Sequence, residues 1–284
     1  MTDRASPAVG RRKLAGELRR LRSVAGLTIQ DVAERLECSA GKVSRIETGA
    51  VGVRVQDARD MLALYQVPAG QRDELLDLVR LSRTRDWWQD YLDVVPADSG
   101  TFYGLEAGAA RIDHIAVGLV PGLLQTEPYA RALMTSRSDV PHEVVERRLE
   151  LRMRRQRLLR QPEPPQVRVL LDEAVLHRLV GGAEVMAGQL RRLAEAATLD
   201  HVQIQVLPFA DGAYPAAGLA FSIFGFAGPS APDVVYLEQP TRNTQLDDPS
   251  EVAIYRGVFA DAVALARTPA ESVDILRKLM RQLG

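Results

Sequence analysis

Apolar positions in the first 85 residues recur every three or four, the period of helices with one buried face. Leu14, Leu18 and Leu21 stripe a helix over 11–25. Val32, Ala33 and Leu36 mark a short second helix, with Thr28 as its cap and Asp31 placed to reach back to that cap. Val43 and Ile46 mark a third, capped by Ser39 and stopped by Gly49. Two more follow over 55–65, with Met61, Leu62 and Leu64, and over 69–85, with Leu75, Leu76, Val79 and Leu81. Pro68 opens the last of them.

Beyond residue 100 helical stretches alternate with short apolar runs. Strands are predicted over 111–120, 167–171, 202–207, 220–226 and 234–238. The third is the most diagnostic, because Val202, Ile204 and Val206 alternate with Gln203 and Gln205. Helices are predicted over 128–136, 142–160, 173–180, 183–197, 250–266 and 269–283. The last carries Val273, Leu276, Met280 and Leu283 as a seam, either for its own core or for a second subunit. Between the two regions DWWQDYLDVVPADSG reads as a connector broken by Pro96 and Gly100, in which Trp87 and Trp88 anchor the linker or a subunit contact. The predicted organisation is an N-terminal all-α unit of five helices over 1–85, a linker over 86–100, and an α+β domain over 101–284 with a mixed or antiparallel sheet.

The short third helix leaves Ala40, Gly41, Lys42, Ser44 and Arg45 facing outward. Small and basic residues on such a face suit the major groove of double-stranded DNA. Together with the preceding helix and turn, residues 11–67 resemble the phage-repressor type of helix-turn-helix. That resemblance implies that Arg22 and Glu47 form a structural ion pair rather than DNA contacts. It implies DNA contact for Gln30, Ser39, Ala40, Gly41, Lys42, Ser44 and Arg45, with direct base reading concentrated on Lys42 and Arg45. Two departures stand out. Glu37 occupies a turn position where the family favours glycine, and Ile29 replaces the glutamine that often follows the first cap, Gln30 coming one residue later. Arg11, Arg12, Lys13, Arg19 and Arg20 on the first helix form a cluster suited to phosphates.

Charge supports this division. The chain as a whole carries a formal net charge of −1. Residues 1–85 hold 16 Lys and Arg against 11 Asp and Glu, net +5, leaving −6 for the remainder. A basic reader is joined to an acidic body. The single cysteine, Cys38, excludes an intramolecular disulfide and reads as a small buried residue in the turn. The N-terminus lacks the apolar run of a signal peptide, and the longest apolar stretch, 115–124, is broken by Pro121. These features predict a cytoplasmic protein without a membrane partner.

Nothing in the chain requests catalysis. The four histidines, His114, His142, His177 and His201, show no metal-ligand spacing. Glu173 and His177, four apart on one helix face, read as a surface pair, and no cofactor is implied. The helix over 142–160 carries Arg147, Arg148, Arg152, Arg154, Arg155, Arg157 and Arg160, read either as partners for the domain's surplus carboxylates or as a second DNA contact.

Several C-terminal segments are recognisable together: FYGLEAGAARI at 102–112, VPGLLQTEPYARAL at 120–133, LLDEAVLHRLVGG at 170–182, HVQIQVLPF at 201–209 and VVYLE at 234–238. They resemble a family of actinobacterial regulators that joins a repressor-type helix-turn-helix to a C-terminal domain of unknown function, with members described as antitoxin-like. The resemblance implies a small protein partner encoded nearby. Two functions follow. One is a transcriptional regulator whose second domain makes a homodimer and senses a partner or effector. The other is an antitoxin-like binder whose DNA contact serves autoregulation. Glu106, Gln125 and Tyr129 are the candidate ligand or partner site, although packing and helix capping are a sufficient account of the run around Gln125.

Overall fold

Leu14, Leu18 and Leu21 turn one face of α1 (Pro7–Val24) into a shared apolar core. That core is completed by Val32 and Ala33 of α2 (Ile29–Arg35), Val43 and Ile46 of α3 (Ala40–Glu47), Ala58, Met61 and Leu62 of α4 (Val55–Leu64), and Leu75, Leu76 and Val79 of α5 (Ala69–Ser82). The computed structural model describes residues 7–49, 51–83, 86–96, 99–136, 139–227, 232–239 and 243–283. Residues 84–85, where the fifth helix was expected to end, and the side chain of Leu81 lie outside them.

Contacts group residues 1–89, 100–109 and 226–232 into one unit, and 90–99, 110–225 and 233–284 into another. The stretch read as a connector holds a 3-10 helix, Trp87–Tyr91, and is followed by α6 (Ser99–Gly108). Trp88 is buried and meets Trp87 edge to face at 5.8 Å.

The second unit is built on one six-stranded mixed sheet in the order β3-β2-β1-β4-β5-β6. β1 (Arg111–Ala116), β2 (Gln166–Asp172) and β3 (Val202–Leu207) run parallel, with Ile112 opposite Val167 and Val167 opposite Val202. The crossovers carry α7 (Glu127–Met134) and α8 (His142–Arg155), then α9 (Glu173–His177) and α10 (Ala183–Ala196). β4 (Phe221–Gly225), β5 (Val234–Leu237) and β6 (Thr244–Leu246) continue the sheet antiparallel from β1. One face buries Ile115, Leu170, Phe221, Ile223 and Val235 under Val252, Phe259 and Ala262 of α11 (Pro249–Leu265). α12 (Pro269–Leu283) runs beside α10 and closes the β3 edge. There Ser272 Oγ accepts the Val206 N–H at 2.9 Å and the Arg267 N–H reaches the Val206 carbonyl at 2.9 Å. Closing an edge in this way removes a template for unwanted strand pairing.

Several expected elements change length for local reasons. β1 stops at Ala116, well short of the Pro121-Gly122 turn. The helix expected over 173–180 ends at His177, because Arg178 turns extended and Gly181 and Gly182 take positive φ. α8 tightens into a 3-10 helix, Gln156–Arg160. Of the α12 seam, Leu276 is buried and Val273, Met280 and Leu283 are half-buried. All five residues of β4 are buried, between β1 and β5.

Candidate nucleic-acid interface

Two caps and one strained turn set the angle between α2 and α3. The Thr28 hydroxyl accepts the Asp31 N–H at 3.1 Å, and Asp31 accepts the Thr28 N–H at 2.7 Å, a complete capping box. Those bonds hold the Asp31 carboxyl below its ordinary range, the Thr28 N–H contributing most. At the other end of α2, Cys38 N–H bonds to Ala33 O at 2.9 Å and Glu37 N–H to Glu34 O at 3.2 Å, the double closure of a Schellman turn. Glu37 carries the left-handed conformation this turn requires, with φ 49°. Cys38 is half-buried against the core.

Ser39 caps α3 by accepting the Lys42 N–H at 3.2 Å. Val43 and Ile46 face inward, which fixes the opposite face of α3 outward. Gly41 and Arg45 are exposed, while Ala40, Lys42 and Ser44 are half-buried. A methyl at Gly41 would meet only the Arg45 guanidinium, at 3.7 Å, so the first turn presents a low, open surface beside a long cation. Gln30 is exposed on α2 and donates to Glu34 at 3.1 Å.

The expected ion pair is formed. Arg22 Nε reaches Glu47 Oε1 at 2.8 Å and Oε2 at 3.0 Å, Nη2 reaches Oε2 at 2.9 Å, and Nη1 donates to Leu27 O at 2.8 Å. Glu47 is 5 % exposed. Its hydrogen bonds push the Arg22 guanidinium further above its already high range. Burial first, then the Glu47 carboxylate, pushes the neighbouring Tyr65 phenol upward.

The phosphate cluster on α1 is only partly free. Arg20 is paired with Glu17 at 2.6 Å, Arg11 donates to Ser82 O at 3.3 Å, and Arg19 is exposed. Sequence reasoning missed one residue of this surface. Asp57, in the first turn of α4, holds the Lys42 ammonium at 2.8 Å. No local pattern reveals a pairing across fifteen positions and two helices.

Residues 13–75 match a family model described as Helix-turn-helix domain, and residues 99–278, more than half of the chain, match Domain of unknown function (DUF5753). The chain belongs to the DUF5753 family. No curated protein and no solved structure matches it. A helix-turn-helix domain marks a DNA-binding regulator, and among the described residues no helix is long and apolar enough to cross a membrane.

Within the DUF5753 region, Gln125 and Tyr129 hold the chain's own backbone. Gln125 donates to Val120 O at 2.7 Å and accepts from Arg152 at 2.7 Å, while the Tyr129 hydroxyl accepts the Val120 N–H at 3.2 Å. Gln189, fully buried on α10, accepts the Thr126 N–H at 2.7 Å and donates to Leu124 O at 2.8 Å. Gln156 bonds to the carbonyls of Gly122 and Gln125 at 3.0 and 2.6 Å. Glu106 is buried on α6, in the other unit, so the three residues assigned to one site divide between two units.

The arginine-rich helix of the DUF5753 region is largely engaged internally. Arg147 pairs with Asp93, Arg148 bonds to Val94 O, Arg154 reaches the Tyr91 hydroxyl at 3.5 Å, and Arg155 is buried. Glu150 accepts from Tyr91 at 2.8 Å. α8 therefore fastens residues 91–94, and Arg157 and Arg160 remain exposed. His177 faces Glu173 at 3.2 Å and stacks on Phe209, the surface pair its spacing predicts.

Proposed function

We propose that the protein is a sequence-specific transcriptional regulator in which α3 reads the major groove and the C-terminal domain makes a homodimer and responds to a partner or effector. The observation that carries this reading is the outward face of α3. Its first turn is small, its cap is polar, and Arg45 extends from it unburied, the arrangement that lets a guanidinium reach a guanine edge in bidentate fashion. In this reading Gln30 and Ser39 contact the DNA backbone, Ala40, Gly41 and Ser44 allow close approach, and Lys42 assists Arg45. Arg22 and Glu47 stay out of the interface.

A homodimer follows from scale. One eight-residue helix spans only a few base pairs, so useful discrimination requires two copies about one DNA turn (~34 Å) apart. The test is selection of binding sites from a random duplex library by the full chain. An inverted repeat is expected, together with sedimentation as a dimer at micromolar concentration. Arg45→Ala is expected to flatten the preference at one position of each half-site and to cost ~1–3 kcal/mol. Selection of no common sequence, or the same sequence at the same affinity from Arg45→Ala, would overturn the reading.

A further inference from the structure

Lys42 stands in the first turn of α3, at the positive end of that helix, where an ammonium has the unfavourable sign. Asp57 stands in the first turn of α4, where a carboxylate is favoured, and its Oδ2 lies 2.8 Å from Lys42 Nζ. The two side chains are 39 % and 24 % exposed, so the pair is open to solvent and to a competing anion. Arg45, three residues further along the same helix, is exposed. The two basic side chains of the reading helix are therefore not equivalent. One projects freely, and the other is already neutralised by a carboxylate from a neighbouring helix.

We propose that Asp57 is a built-in competitor for DNA phosphate, which masks the Lys42 charge until a correctly seated duplex offers a stronger acceptor. This rests on the reading of α3 as the recognition helix. A solvent-exposed lysine joins any polyanion that approaches it and releases a counterion whatever the sequence, which raises non-specific binding. A lysine held by a carboxylate exchanges one partner for another on binding, so contact with random DNA releases less. Lys42 is thereby released only in complexes in which Arg45 and its neighbours already fix the geometry, and there its gain is reduced by the cost of leaving Asp57. Asp57 is a positioning residue in this scheme and acts only through Lys42.

The experiment measures binding of the full-length protein to a mixed-sequence duplex and to the duplex recovered by selection, by fluorescence anisotropy over a range of salt. Asp57→Asn is expected to tighten binding to the mixed-sequence duplex roughly three- to tenfold near ~0.1 M salt, with a salt slope steeper by about 0.9, the contribution of one added phosphate contact. Affinity for the selected site should rise at least as much, because there the wild-type lysine has had to leave Asp57. In a Lys42→Gln background the same substitution should change neither slope nor affinity. Asp57→Ser, which keeps a polar group in the first turn of α4, is the second variant should Asp57→Asn fail to fold. An unchanged or shallower salt slope overturns the proposal, as does an equal gain without Lys42, which would be a diffuse charge effect. Failure of the wild-type chain to bind either duplex would instead remove the recognition-helix reading itself.

Discussion

Arg22 and Glu47 tie α1 to α3 through three guanidinium–carboxylate hydrogen bonds of 2.8 to 3.0 Å, with the carboxylate side chain only 3 % exposed. α3 is thus fixed from behind, through its buried Glu47, while Arg45 is exposed. A pair this dry is supported only if both partners stay, because removal of one leaves the other charged and poorly solvated.

Glu47→Ala is therefore expected to destabilise the first unit by ~2–4 kcal/mol. Arg22 keeps its bond to Leu27 O, which places the effect below the top of the range for buried pairs. The check is thermal melting followed by duplex binding at a temperature where the variant remains folded. Unchanged melting combined with lost binding would make Glu47 a DNA-contacting group instead.

The turn between α2 and α3 offers the opposite sign. Glu37 is exposed and sits at φ 49°, a conformation costing an L-residue ~1–2 kcal/mol that glycine adopts freely. Glycine also gains freedom in the unfolded chain, which offsets part of that relief. Glu37→Gly should raise stability by ~0.5–1 kcal/mol in chemical denaturation. A loss of stability would show that the Glu37 side chain makes a contribution larger than its strain.

How much was legible in the sequence depended on how local the cause was. The helix-turn-helix was readable because Thr28–Asp31 and Ser39–Lys42 are bonds over three residues, and because the apolar spacing of α1 to α5 names its own buried face. β3 was readable from strict alternation. β6 was missed because three residues cannot display a period, and α6, SGTFYGLEAG, because its apolar and small residues form no stripe. The mixed direction of the sheet depends on crossovers and was only bracketed beforehand. Gln125, read as a ligand group, proved to have backbone and Arg152 partners that no spacing could supply. Lys42–Asp57 escaped for the same reason.

The Gln189 side chain bonds two backbone groups across from its own helix, with no solvent to replace it. Gln189→Leu keeps the volume but strands the Thr126 N–H and the Leu124 carbonyl, each costing ~1–3 kcal/mol when unsatisfied. The second unit is expected to lose ~2–4 kcal/mol, read as faster hydrogen exchange throughout β1 and α7. Exchange that stays at wild-type rates would mean that the run from Val120 to Thr126 is held by Gln125 and Gln156 alone.

The last prediction concerns pH. Asp86 is buried, and burial raises its carboxyl to about 7, against the smaller opposing pull of the Arg11 guanidinium. An ordinary unfolded aspartate titrates near 3.8. Between those values the folded chain holds a proton that the unfolded chain has released, so stability falls as pH rises from about 4 to about 7 and levels off above. Allowing for solvent screening, the full effect is roughly 1–2 kcal/mol. Asp86→Asn mimics the protonated acid and should remove this slope, leaving the variant more stable than wild type at pH 8 and close to it near pH 4. The probe is built in, because Trp87 and Trp88 are the only tryptophans and both belong to the same unit as Asp86. Tryptophan-fluorescence melts at a series of pH values therefore report this unit directly. Parallel curves for wild type and Asp86→Asn across that range would show that Asp86 is ionised in the folded protein, held by Arg11 more strongly than burial opposes it.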